Sequence, residues 1–264
     1  MTLIVIILAT LLAGIGSVWL AAVLSFGLLA RYTQHMLSLS AGALMATAFM
    51  HLLPEAFESQ IGAHELFATL LAGLVFFFLL DKAELWHHGH EHGHGPQAHA
   101  HHADTHGHAQ HASPQSGGWA VLTGDSVHCF GDGILIASAF LADMRLGVIA
   151  ALAVLAHEVP HHMGDLVVLG RSSGNQRAAL VKVSLAGSVT ALGGVTGYWL
   201  VEQLRDYLPY FLVVASSSFV YVALADLIPQ LQKRLSLRAT AAQVAWLLVG
   251  MGLVTGVGSL AHGH

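Results

Sequence analysis

The densest chemistry in this 264-residue chain lies at His157-Glu158-Val159-Pro160-His161-His162-Met163-Gly164-Asp165. At 3.6 residues per turn, a helix puts His157, His161 and Asp165 on one face, four apart each time. Glu158 and His162 form a pair on the adjoining stripe. Imidazoles and carboxylates so placed are metal-ligand chemistry. Pro160 lacks an amide hydrogen, which bends the segment and frees a carbonyl close to these side chains. A second set stands upstream in Asp125-Ser126-Val127-His128-Cys129-Phe130-Gly131-Asp132-Gly133. There His128 and Asp132 are four apart, with Cys129 beside them. Two antiparallel neighbours carrying these sets could offer imidazole, thiolate and carboxylate to one borderline-soft divalent cation, and zinc fits that mixture. The alternatives are histidines that only satisfy hydrogen bonds in a buried soluble helix, and a cysteine that only packs. Cys129 is the single cysteine, so an intrachain disulfide is excluded.

The elements that must hold these groups are apolar. Hydrophobic residues make up 55% of the chain and charged ones 9%, with a mean hydropathy of +0.66. Soluble domains carry about 25% charged residues, so this composition is that of an integral membrane protein. Eight segments are long enough to cross a bilayer: about Leu3–Ala30, Leu37–Phe57, Leu66–Leu85, Trp119–Leu141, Leu146–Leu169, Ala178–Val201, Tyr210–Leu231 and Thr240–Leu260. Their apolar runs are continuous and lack the alternation a membrane β-barrel requires. The expected fold is therefore all-α with eight transmembrane helices. His128 and His157 fall near the middle of spans four and five. Ionisable groups at that depth face a bundle interior rather than lipid.

Loops one, three, five and seven hold eight of the ten lysines and arginines, which makes those loops cytoplasmic and places both termini outside. The first span is too long for a signal-peptide core and reads as retained. The third loop, about 86–118, contains 11 of the 20 histidines among Gly, Ala and Pro. It cannot bury a core; it is either a weak multi-site metal binder or a solvated linker. The C-terminal His262-Gly263-His264 is assigned no role. A weak internal repeat aligns Ala41–Glu55 with Ser216–Gln230 at an offset of 175, matching Pro54 to Pro229. The orientation makes that repeat inverted, with spans one to three and six to eight as related halves around four and five. The expected parts are 1–85, 86–118, 119–170 and 171–264.

His128-Cys129-Phe130-Gly131-Asp132-Gly133 resembles the His-Asn-x-x-Asp-Gly motif of the ZIP (Zrt/Irt-like) metal transporters. His157-Glu158-Val159-Pro160-His161-His162 is similar to their next motif, His-Glu-x-Pro-His-Glu, and the continuation to Gly164-Asp165 resembles the LIV-1 branch. The likeness extends to the eight spans, the His-rich third loop and His51-Leu52-Leu53-Pro54-Glu55 in span two. It implies import of zinc or a related divalent ion (iron, manganese, cadmium) into the cytoplasm, with His128, Asp132, His157, Glu158 and His161 as ligands of a two-metal site. Cys129 stands where the family has asparagine, and His162 where it has the second glutamate, so the donor set is softer and less anionic. On this reading His51 and Glu55 mark an outer entrance, with helix capping as the alternative. Asp165 marks an exit on the inner side, with Asp125 and Asp226 serving either there or as hydrogen-bonding groups.

The resemblance makes the metal a substrate rather than a cofactor, and the chain a transporter rather than an enzyme. Expected partners are divalent ions, the lipid bilayer of a bacterial inner membrane and a second copy in a homodimer. Nothing basic or aromatic-interleaved points to nucleic acid. The rival reading is an intramembrane zinc metalloprotease, because His157-Glu158-x-x-His161 is also a zincin motif with Glu158 as general base.

Overall fold

The structure, a computed structural model, describes residues 1–25, 33–89, 116–227 and 236–260. The histidines of the third loop beyond Gly89, the His262–His264 tail, the Asp226 side chain and the Pro229–Gln230 end of the repeat lie outside the described residues. So do Arg31, Lys233 and Arg234. Eight helices are long and apolar enough to cross a membrane, and no strand occurs among the described residues. They are designated α1 to α8 in chain order. The unbroken ones are α3 (Ala63–Gly89), α4 (Ser116–Ala142), α5 (Met144–Ser173), α6 (Gln176–Gln203) and α8 (Leu237–Leu260).

The other three each contain a widened π turn. α1 runs through Thr2–Leu11, a π turn at Leu12–Gly16, and Ser17–Ser25. α2 comprises Thr33–Thr47, a π turn at Ala48–Leu52, and Leu53–Phe57. α7 comprises a 3-10 turn at Arg205–Tyr207, then Leu208–Tyr221, then a π turn at Val222–Leu227. The turn in α2 lies just ahead of Pro54, where the missing amide hydrogen and the ring strain a regular α-turn. A shift of 175 residues carries it onto the π turn of α7 to within one residue.

Helix pairing follows small residues, as expected where lipid offers no hydrophobic drive to association. α4 lies against α6 so closely that a methyl at Gly133 would overlap the Thr190 carbonyl, and one at Gly193 the Phe130 carbonyl. Gly14 of α1 meets Gly187 of α6 in the same manner. Elsewhere Gly42 and Gly250 let α2 and α8 touch backbone to backbone, and Gly73 seats α3 on Ser217 of α7. The helices thus fall into two packing groups: α1, α4, α5 and α6, and α2, α3, α7 and α8. α2 packs on α5 and α7 on α4 where the groups meet. At that seam Ser40 of α2 donates to the Ala156 carbonyl of α5. Ala156 is four residues before Pro160, so its carbonyl is the acceptor the proline leaves without a helical donor. The core between the groups contains Leu44, Leu52, Ile136, Phe140, Val154 and Phe219, all buried.

Tight turns fix α4 and α5 as antiparallel neighbours. Asp143 caps α5 by accepting from the Arg145 and Leu146 amides at 2.8 and 3.2 Å. A cap of this kind contributes about 1 kcal/mol. Gly174, in the left-handed region at φ 61°, ends α5, and Asn175 caps α6.

Candidate metal centre

Position along α4 and α5 sets which residues can meet. With a rise of about 1.5 Å per residue, Asp132 stands about 15 Å and His157 about 20 Å from the shared turn at Asp143. Asp125 and His161 both stand about 25 Å from it. The donors accordingly collect at successive levels rather than at one point.

The level nearest the turn contains His128, Asp132, His157 and Glu158, with ligand atoms all within 4.8 Å of one another. His157 Nε2 lies 3.2 Å from His128 Nε2, 3.2 Å from Asp132 Oδ2 and 3.3 Å from Glu158 Oε1. His128 Nε2 lies 3.4 Å from Glu158 Oε1 and 3.8 Å from Asp132 Oδ2. A tetrahedral zinc with ligands at about 2.0–2.1 Å has ligand–ligand edges of about 3.3 Å, so four of these five separations suit one small divalent ion. The second level uses the other oxygen of the same carboxylate. Glu158 Oε2 is 3.0 Å from His162 Nε2, Asp125 Oδ1 is 3.6 Å from His162 Nε2, and the Cys129 thiol points at Asp125 Oδ1 from 3.7 Å. Edges involving sulfur are longer, about 3.5 Å, because Zn–S is about 2.3 Å. Glu158 stands between two four-donor groups.

Two hydrogen bonds orient the imidazoles. Ser17 Oγ lies 2.6 Å from the Gly14 carbonyl, which can only accept, so the single hydroxyl hydrogen is committed there. The same oxygen lies 3.0 Å from His162 Nδ1 and must accept from it. His162 therefore carries its proton on Nδ1 and presents a bare Nε2 to Glu158, Asp125 and Cys129. His157 is set alike: Nδ1 faces the Ala153 carbonyl at 3.4 Å and leaves Nε2 for the first level. Outer partners of this type fix the tautomer of metal-binding histidines.

Burial raises the stakes. Asp125, Asp132, His157, Glu158 and His162 are all buried, 4% exposed or less. Asp132 Oδ2, both Glu158 oxygens, His162 Nε2 and Asp125 Oδ2 have no hydrogen-bond partner. Carboxylates without donors in a dry interior are costly, and a coordinated cation is one of the few remedies.

Of the residues singled out in the sequence, all but Asp226 can be placed. His128, Asp132, His157 and Glu158 come together, and so do Cys129, Glu158 and His162. His161 does not join His157. Its Nδ1 faces Asp165 at 3.3 Å and Asp125 at 3.7 Å, while its ring stacks on His128 at a centroid distance of 5.5 Å. The zincin arrangement, with both histidines on one ion, is therefore not formed. His51 and Glu55 belong to none of these groups; both are partly buried in α2, and Glu55 is near enough to Asp143 for the two charges to interact. Sequence reasoning placed Asp125 among exit or hydrogen-bonding groups, although Asp125, Cys129 and Asp132 at i, i+4 and i+7 already marked one stripe. It missed Ser17, for which no local signal exists.

An eight-span integral membrane protein with a metal-type centre in its interior is thus defined by fold and site. The family model described as "ZIP Zinc transporter" matches residues 83–258, and the chain belongs to that family. It is 33% identical over 138 residues to zinc transporter ZIP4 of Homo sapiens, covering 52% of this chain and 21% of that protein. Over 137 residues it is 31% identical to zinc transporter foi of Drosophila melanogaster, covering 52% of this chain and 19% of that one. Zinc transporter ZIP13 of Pongo abelii is 27% identical over 218 residues, 76% of this chain and 59% of its own length. The chain spans less than two thirds of the length of each of these relatives, all animal proteins.

Proposed function

We propose that the chain carries a divalent cation, zinc foremost, across the membrane and into the cytoplasm through the donors between α4 and α5. The observation that carries this is the first level: four donors near tetrahedral spacing, three of them buried, within a chain of the ZIP family. The ion is substrate rather than resident cofactor. It enters past His51 and Glu55, is held by His128, Asp132, His157 and Glu158, passes to Cys129 and His162, and leaves by His161 and Asp165. A thiol or an imidazolium must lose a proton to coordinate, so loading the Cys129 position releases a proton. The chain acts as a transporter and not as a hydrolase.

The direction rests on the basic residues of the odd loops, which put both termini outside. The inverted repeat belongs to the same proposal. The matching π turns support it, and so does the pairing of α2 with α8 and of α7 with α3, which a swap of related halves interconverts. Movement is then a displacement at the seam where α2 meets α5 and α7 meets α4. The first three spans (1–85), the His-rich segment (86–118), the central pair (119–170) and the last three spans (171–264) are its parts. Bacterial inner-membrane placement and a homodimer complete the reading. Membrane fractionation tests the first, and light scattering in detergent the second.

Zinc uptake by proteoliposomes, with iron, manganese and cadmium as competitors, tests the function. Saturable uptake inhibited by cadmium is expected. Correctly inserted protein no faster than empty vesicles would overturn it. A peptide-cleavage assay on the same sample is expected to give no product.

A further inference from the structure

The first two levels do not use every buried donor. One turn beyond Glu158, away from the Asp143 turn, Asp125, His161 and Asp165 bring three ligand atoms within 4.8 Å of one another. His161 Nδ1 lies 3.3 Å from Asp165 Oδ2 and 3.7 Å from Asp125 Oδ1, within ion-pair reach of both. His161 Nδ1, Asp165 Oδ2 and Asp125 Oδ2 are all without a hydrogen-bond partner, and Asp125 is only 4% exposed. Two carboxylates facing one imidazole leave a double negative charge, which a divalent cation balances. The Asp125 side is dry, whereas the His161 side chain is 37% exposed, so the trio has one open flank. Three protein ligands with an open flank describe a position through which an ion exchanges, rather than a closed structural site.

The geometry points to a third cation position formed by Asp125, His161 and Asp165, linked to the second through Asp125 as the second is linked to the first through Glu158. Each neighbouring pair of positions thus shares one carboxylate. An ion advances by gaining a donor of the next position before releasing the last donor of the previous one, and is never stripped bare between them. As a station on the exit path the position rests on the transport reading above; as a binding position it does not.

Cobalt(II) tests it cleanly because Cys129 is the only cysteine of the chain. In the Cys129→Ala protein no thiol remains anywhere, the His-rich segment included. Adding Asp165→Cys supplies one at the third position alone. Cys129→Ala is expected to show no thiolate-to-cobalt charge-transfer absorption. The Cys129→Ala/Asp165→Cys protein is expected to show it, and adding His161→Ala should raise the cobalt needed for half-maximal signal at least tenfold. No such absorption from protein that elutes as wild type does would overturn the position, as would a band indifferent to His161→Ala.

If the double variant does not fold, Asp165→Asn in the otherwise native chain decides. A several-fold lower maximal rate of zinc uptake with unchanged KM supports the position, since loading occurs two levels away; an unchanged maximal rate overturns it. A wild-type protein that moves no zinc at all sinks the transport reading but leaves the cobalt result standing, so the two failures are distinct.

Discussion

The two positions on either side of Glu158 are built by the same pair of helices from different chemistry. The first offers only nitrogen and oxygen: His128, Asp132, His157 and one Glu158 oxygen. The second offers the other Glu158 oxygen, Asp125, His162 and the chain's single thiol. The first is held within α4 and α5 down to its outer hydrogen bond, from His157 to the Ala153 carbonyl. The second borrows its orientation from α1, through Ser17. One helix pair can therefore present a harder and a softer station in series. Selectivity can be altered at the second without dismantling the first.

The largest effect is expected at the first station. His157→Ala removes an imidazole that lies 3.2–3.3 Å from three other donors and should reduce zinc uptake to the level of empty vesicles at normal membrane abundance. Near-wild-type uptake by that variant would remove the first position from the pathway.

Cys129→Asn should leave transport in place but weaken cadmium and zinc relative to manganese by about tenfold, because thiolate favours thiophilic ions. Competition uptake reads the ratio. In the native chain a small methanethiosulfonate should label Cys129 more slowly when zinc is bound, and zinc-insensitive labelling would return the thiol to a packing role.

Ser17→Ala should raise the apparent KM for zinc several-fold, with Ser17→Thr restoring it. Outer hydrogen bonds of metal-binding histidines typically contribute ten- to hundredfold in affinity, and this one serves one ligand of one station. A purely structural role would instead lower protein yield without moving the KM for zinc relative to manganese.

The smallest effect is expected from the His-rich segment. Deleting about His87–His111 should preserve the initial uptake rate and blunt only the response to high internal zinc. Loss of uptake would make that segment part of the pathway.

The eight crossings were legible because hydropathy over about twenty residues is a strong signal. Which crossings pair was not. α5 and α8 have similar peak hydropathy, 1.2 and 1.5, yet 67% of the α5 window is buried and 11% of the α8 window. Hydropathy reports transfer out of water, not whether lipid or protein receives the side chain. The donor residues were legible as types, and their division into levels was not. Helical spacing put His157 and His161 on one face, but that spacing alone does not decide which ion each serves: His128 with Asp132 and Glu158 with His162 share a position at the same four-residue rise of about 6 Å. Asp132 and Asp125, two turns apart on the antiparallel neighbour, decide which level each joins. Ser17 stands 145 residues before His162, and no local pattern could connect them.

A proline in a helix is usually credited with a bend. In α5 the consequence of Pro160 is a vacancy: the Ala156 carbonyl, left without a helical donor, is taken by Ser40 from across the seam. The catch is one hydrogen bond deep. In membranes such bonds contribute about 0.6 kcal/mol on average, comparable to thermal energy. It can therefore register α5 against α2 like a detent, defining a preferred resting alignment while yielding to every excursion that the ion itself can drive.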